Sequence, residues 1–284
     1  MRSEKDMLEL ILGVATSSEL IRVVAMNGSR TNSSIPKDPW QDYDIVYLVD
    51  DADKFVEDRE WIDVFGERLI MQTPMDSDPS GQKWFTYLMQ FQDGNRIDLM
   101  IVPTRDLQEY LESDSLIEIL LDKDTKTPSL NRSNDSKYWV KKPSHQTFDD
   151  CINEFLWVSL YVVKGLHRRN MIYAIEHLNI MRTCYLEMCD ALYGIHTQFK
   201  SNVGKGHQKL ENFLPPEQWN RLLTTYSMSD FNQITEALRI LLIDFRCVSE
   251  RVSSSLNYTI DKEEYQGIVE YIEKDLDIKI NVKE

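Results

Sequence analysis

The chain has 284 residues, 42% of them hydrophobic and 28% charged, which suffices for one large or two moderate domains with a sizeable core. Its 47 acidic residues against 32 basic ones leave a formal net charge of −15. That balance argues against a nucleic-acid partner, because a polyanion needs a basic track, and no apolar run approaches the roughly 20 residues of a membrane span.

The acidic field suits a cationic substrate, although solubility alone is the plainer reading of the charge. A small anion such as a nucleotide is still compatible, held by local amides and a lysine. None of the four cysteines, Cys151, Cys184, Cys189 and Cys247, sits in a C-x-x-C pair. They read as reduced core residues of a cytoplasmic protein, not as a zinc site. The first ten residues, MRSEKDMLEL, carry acids among apolar positions and read as a helix start, not a secretory signal.

Taken in order, residues 1–17 have helical spacing at Met7, Leu8, Ile11, Leu12 and Ala15. Residues 21–26 form a short strand that Asn27-Gly28 ends, and 29–34 form a helical turn before Pro36. A second strand covers 40–49, with Asp42, Asp44, Val46 and Leu48 on one face. Residues 54–65 read as a helix closed by Gly66, 68–72 as a third strand and 73–82 as a loop. Two strands at 83–92 and 95–102 meet at Asp93-Gly94, a hairpin signal. On the second of these, Asp98 shares a face with Met100 and Val102, and a carboxylate there requires a partner.

After Pro103 the pattern turns helical, with pieces at 104–112 and 116–121 and a polar stretch over 122–142. Thr147 can cap a helix to residue 167, a second helix covers 171–192, and 200–206 is a polar loop. Short and long helices at 207–214, 217–225, 231–256 and 262–276 complete the chain. The fold expected is α+β: an N-terminal domain over 1–135 with a mixed β-sheet and flanking helices, then an all-α helical bundle over 136–284. A cleft between the two halves is the expected binding site.

The chemistry lies in Gly28-Ser29, Asp42-x-Asp44 and Asp98. A glycine lets phosphate approach the backbone, where amides and the Ser29 hydroxyl can donate. Two carboxylates two residues apart on a strand offer hard oxygens to magnesium. Asp98 either completes that metal site or accepts a hydroxyl proton. Alone, D-x-D means little in a chain that also has Asp51/Asp53, Asp76/Asp78, Asp122/Asp124 and Asp275/Asp277. The whole order of strand, Gly-Ser, loop, D-x-D strand and later Asp strand points to nucleotidyl transfer. The plain alternative is a turn glycine with two rim aspartates.

The order GSR then QDYDI is similar to the nucleotidyltransferase superfamily of polymerase-β type. More closely, the chain resembles the aminoglycoside 6-adenylyltransferases. MRSEKDM, GSRTNSSIP, WQDYDI, FQDGNRIDLMIVP, LLDKD, YWVKKP, FDDCINEFLWVSLYVVKGLHR and AIEHLN carry the resemblance to about residue 180, with GKGHQKLENFL the clearest later piece. It implies magnesium-dependent transfer of AMP from ATP to the 6-hydroxyl of streptomycin. Asp42, Asp44 and Asp98 would be the catalytic and metal-binding acids, with Gly28, Ser29 and Arg30 at the nucleotide. Lys205, between two glycines, suits the triphosphate or is a solvated loop lysine. Glu154 and Glu176 can take the guanidinium groups of the antibiotic or act as base, or are surface glutamates; the family often has Asp where this chain has Glu176. Trp157 and Tyr161 read as core, with a place in the substrate pocket as the alternative, and His177 reads as structural. A nucleotidyltransferase with another small molecule or a protein as acceptor, and a non-catalytic nucleotide-binding module on the same core, are the competing readings.

Overall fold

The first helix starts where the sequence supplies its cap. The Ser3 hydroxyl accepts from the Asp6 amide at 3.2 Å while the Asp6 carboxylate accepts from the Ser3 amide at 2.9 Å, a reciprocal capping box. The computed structural model describes residues 1–74, 84–129 and 132–280, and divides the chain into two units, Met1–Lys137 and Tyr138–Glu284.

In the first unit, helix α1 (Glu4–Ser17) buries Met7, Ile11 and Ala15, one residue per turn. It lies against a mixed six-stranded sheet: β1 (Ile21–Asn27), β2 (Tyr43–Val49), β3 (Arg68–Gln72), β4 (Phe85–Phe91), β5 (Arg96–Pro103) and β6 (Ile117–Asp122), in the order β3-β4-β5-β2-β1-β6. Among these pairs β2 and β5 run parallel and the others antiparallel. Strand β2 is buried on both faces, which is why it reads as an almost unbroken apolar run. Tyr43, Ile45, Tyr47 and Val49 join the α1-side core, and the Tyr47 hydroxyl donates to the Ile11 carbonyl at 2.6 Å. Val46 and Leu48 join a smaller core with Val23, Ala25, Val102 and Tyr110 of helix α3 (Leu107–Ser113). The expected hairpin between β4 and β5 is present, with Gly94 at φ +86° and its amide on the Phe91 carbonyl at 3.0 Å.

Two local expectations fail here. The helix expected over 116–121 is instead strand over Ile117–Asp122: Ile117, Ile119 and Leu121 alternate with Glu118 and Leu120, and pairing with β1 settles a run too short for periodicity to decide. The helix expected over 54–65 is a short helix α2 (Asp53–Glu57) followed by a 3-10 turn Glu60–Phe65. Asp58 breaks it by turning its carboxylate onto the Glu60 amide at 2.9 Å. Most of the loop expected over 73–82, and the first residue of the strand expected at 83, lie outside the described residues.

The second unit is built of helices and loops, with no strand among its described residues. Helices α4 (His145–His167), α5 (Met171–His196), α6 (Leu210–Phe213), α7 (Pro216–Thr224), α8 (Phe231–Leu256) and α9 (Lys262–Leu276) share one core. In it Phe155 of α4 stacks on Phe245 of α8, centroids 3.7 Å apart. Asn170, Asp230 and Asp261 cap α5, α8 and α9 with their side chains. The cap of α4 is Ser144, whose hydroxyl accepts from the Thr147 amide at 3.0 Å, so Thr147 is inside the helix it was expected to begin. Trp157, read as core, is 58% exposed. The buried stripe of α4 runs through Phe148, Ile152, Phe155, Val158 and Val162, and Trp157 falls beside it. No described helix is long and apolar enough to cross a membrane.

Candidate active site

Strand β1 ends at Asn27, and the chain turns sharply into a 3-10 turn, Gly28–Thr31. Gly28 sits at φ +70°, where L side chains are strained. A Cβ there would also stand 2.2 Å from Asp44 Oδ2. Glycine is therefore required twice, by its backbone angle and by the carboxylate pressed against it. The turn is fixed from behind. The Thr31 hydroxyl donates to the Gly28 carbonyl at 3.0 Å, and the Tyr110 hydroxyl donates to Asn27 Oδ1 at 2.5 Å. No described group hydrogen-bonds the Ser29 hydroxyl.

The acids are assembled by the parallel pairing of β2 and β5. Its register sets Asp44 beside Asp98. Residues opposite each other in a pair point to the same face, so the two carboxylates are neighbours. Continuing the register by one two-residue step sets Asp42 beside Arg96. Here Arg96 forms a forked pair with Asp98, Nε to Oδ1 at 2.7 Å and a terminal nitrogen to Oδ2 at 2.8 Å. Its Nε is also 3.7 Å from Asp42 Oδ2. Among the described residues the result is a half-buried quartet of three acids and one base at the N-terminal ends of two adjacent strands. Asp98 raises the affinity of the Arg96 guanidinium for its proton, with Asp42 and Asp44 adding to it. Arg96 went unremarked in the sequence. The signal that could have found it is its i, i+2 spacing from Asp98, the same as that of Asp42 and Asp44.

Arg30 turns the other way. Its Nε donates to the Asp42 carbonyl at 3.0 Å, a terminal nitrogen donates to the Gln41 carbonyl at 2.8 Å, and the guanidinium lies 3.7 Å over the Tyr43 ring. It thereby clamps the backbone that presents Asp42 to the turn that presents Ser29. A cavity of about 750 Å³ beside the turn is lined by Arg30, Lys37 and Arg132 among hydroxyl-bearing Thr31, Ser33 and Ser133.

The donor set suits magnesium, being hard carboxylate oxygens of which two are neighbours on adjacent strands and the third lies two residues along. Among the described residues no three His, Cys, Asp or Glu side chains converge on a single metal position. The Arg96 guanidinium lies between Asp42 and Asp98.

The other expected site residues belong to the second unit. Lys205 is exposed on a 3-10 turn, Lys205–His207, between Gly204 at φ +87° and Gly206 at φ +63°. His207 anchors that turn to α5 through Asp190, 2.9 Å away, whose carboxyl burial pushes above the usual range. Glu154 and Glu176 are exposed on α4 and α5. Trp157 donates to the Tyr161 hydroxyl at 2.9 Å, and Tyr161 in turn packs on His177 with centroids 5.1 Å apart. His177 has its Nδ1 2.7 Å from the Tyr173 carbonyl.

The sequence profile of the family described as streptomycin adenylyltransferase matches residues 1–275. The chain belongs to that family. It is accordingly a nucleotidyl-transferring enzyme. An aminoglycoside 6-adenylyltransferase of Bacillus subtilis (strain 168) is 39% identical over 278 residues, covering 96% of this chain and 98% of the relative. One from Campylobacter jejuni is 41% identical over 261 residues, covering 91% of each. One from Staphylococcus aureus is 35% identical over 263 residues. A crystal structure of an aminoglycoside 6-adenyltransferase from Bacillus subtilis, 34% identical, covers 97% of this chain and 99% of that one with a TM-score of 0.47.

Proposed function

We propose that this enzyme transfers AMP from ATP to a hydroxyl of an aminoglycoside, the 6-hydroxyl of streptomycin, and so confers resistance. The observation that carries the nucleotidyl-transfer reading is the register of β2 on β5, which sets Asp44 beside Asp98 with Gly28 packed against Asp44. Support for the acceptor comes from the family and from relatives named for the 6-position of aminoglycosides. The net charge of −15 favours a polycationic acceptor and disfavours nucleic acid.

In this reading Gly28 and Ser29 grip the triphosphate through backbone amides and the serine hydroxyl, without reacting. Asp42, Asp44 and Asp98 would hold magnesium, which neutralises charge on the α-phosphate and the leaving pyrophosphate. The acceptor oxygen forms a bond to the α-phosphorus as the bond to pyrophosphate breaks. Asp98, if not fully engaged as a ligand, takes the hydroxyl proton. Arg30 contributes by holding the Gln41–Asp42 backbone, and through the remaining guanidinium nitrogen can face a phosphate. Lys205 is proposed at the triphosphate, and Glu154, Glu176 and Trp157 at the cationic acceptor. The cytoplasm, where ATP is available, is the proposed location, and the four cysteines are free.

The test is pyrophosphate release by the pure protein with ATP, magnesium and streptomycin, run beside kanamycin, lincomycin and spectinomycin. Release with streptomycin alone, lost in Asp44→Asn, is the expected result. Folded protein that releases nothing with any acceptor refutes the proposal. Release with a different acceptor refutes the streptomycin assignment.

A further inference from the structure

The quartet at the ends of β2 and β5 sets a cation, Arg96, among its acids. Arg96 bonds Asp98 through two nitrogens and reaches Asp42 with the same Nε. Side-chain exposure is 39% for Arg96 and 20% for Asp98, so the pair is neither sealed in the core nor fully in solvent. The forked geometry makes the pair stronger than an ordinary surface ion pair, while its exposure leaves both groups within reach of ions from solvent. Three carboxylates on one small patch would repel one another without a cation among them.

We propose that Arg96 is a positioning residue that serves as a resident counter-cation for the acid cluster, keeping Asp42 and Asp98 in place and yielding them when the metal arrives. This rests on the reading of those acids as magnesium ligands. A divalent ion and a guanidinium held by the same carboxylates repel each other, so each weakens the binding of the other. The guanidinium therefore weakens metal binding until it finds another anion, and an incoming triphosphate supplies one. Metal and nucleotide binding become positively coupled, and the two must by linkage strengthen each other equally. The device would discourage binding of bare metal and favour arrival of metal with nucleotide.

The experiment measures Mn2+ binding by electron paramagnetic resonance in the absence of nucleotide, for the wild-type chain and for Arg96→Met, Arg96→Gln and Arg96→Lys. Removing a unit charge about 4 Å from a divalent ion is worth about thirtyfold in affinity even with the screening of bulk water. Arg96→Met, or Arg96→Gln if the methionine variant misfolds, is expected to bind Mn2+ about thirtyfold more tightly. Arg96→Lys should stay near wild type. A merely structural arginine would lower the melting temperature without raising metal affinity. Neutral variants that bind Mn2+ no more tightly than wild type overturn the inference. Asp44→Asn on the neutral-variant background separates this from failure of the underlying reading. If it abolishes Mn2+ binding while Arg96 variants and wild type bind alike, the metal site stands and only the role of Arg96 falls. If it changes nothing, the metal is elsewhere and both readings fall.

Discussion

Replacing Gly28 by alanine tests the central geometry directly. The backbone at φ +70° costs an L residue about 1–2 kcal/mol. The new methyl group would lie 2.2 Å from Asp44 Oδ2 and 3.0 Å from Asp44 Cγ. Ordinary contact requires roughly 1 Å more. The struck atom is the far end of a side chain, so the carboxylate gives way and the strand stays. Asp44 would then sit about 1 Å from its place beside Asp98, and a displacement of that size costs about a hundredfold in rate. The melting temperature should fall by roughly 3–10 °C. Pyrophosphate release measured beside thermal unfolding checks both. A variant that melts as expected yet keeps activity within about threefold would show that the Gly28–Asp44 contact does not set the reacting geometry. Unchanged stability would show that the turn does not need its positive φ.

Gly13 lies on the exposed side of α1 with nothing within 4 Å of an added Cβ, so Gly13→Ala should raise stability by about 0.5–1 kcal/mol in urea unfolding and leave activity unchanged. Gly165 is the opposite case, because a Cβ there meets Ala174 Cβ at 2.8 Å and its backbone nitrogen at 3.0 Å. Gly165→Ala should prise α4 from α5 and cost about 1–3 kcal/mol by the same measurement. Asp93 ties the β4–β5 turn to the N-terminus, accepting from Arg2 Nε at 2.8 Å and the Arg2 amide at 2.9 Å, and the Arg2 guanidinium holds its carboxyl well below the usual range. A depressed carboxylate adds stability that is complete above its unfolded pKa, about 3.9, and is lost as pH falls through the folded value. Wild type should exceed Asp93→Asn by about 1 kcal/mol at pH 7. That gap should narrow below about pH 4 and vanish in strong acid, as read from melting curves across pH.

Much of the site could be read without coordinates because it depends on short-range rules. Asp42 and Asp44 share a face for any strand, since side chains alternate with period two. Gly28 before a polar loop announces a turn that demands positive φ. The long helices α8 and α9 declare themselves by 26 and 15 residues of helical spacing, each behind an aspartate N-cap. What depended on distant parts of the chain was not legible in the same way. The β6 strand looked like a helix until β1 paired with it. Trp157 looked like core until the packing of α4 chose the stripe one residue away.

By itself, the sequence determined which residues are the candidates for the chemistry: a glycine–serine turn and three aspartates, two of them on strands and Asp42 just before one, in a chain whose long resemblance named the family. Tertiary structure alone decided how they meet. Only the parallel pairing of β2 with β5, across some fifty residues of chain, sets Asp44 beside Asp98 and brings Arg96 between Asp98 and Asp42. Only folding aims Arg30 at backbone carbonyls instead of outward. The reason is that register between distant strands is chosen by burial of whole faces, Val46 and Leu48 against Val102 on one side and Ile45 and Tyr47 against Leu99 and Ile101 on the other. No local motif records that choice.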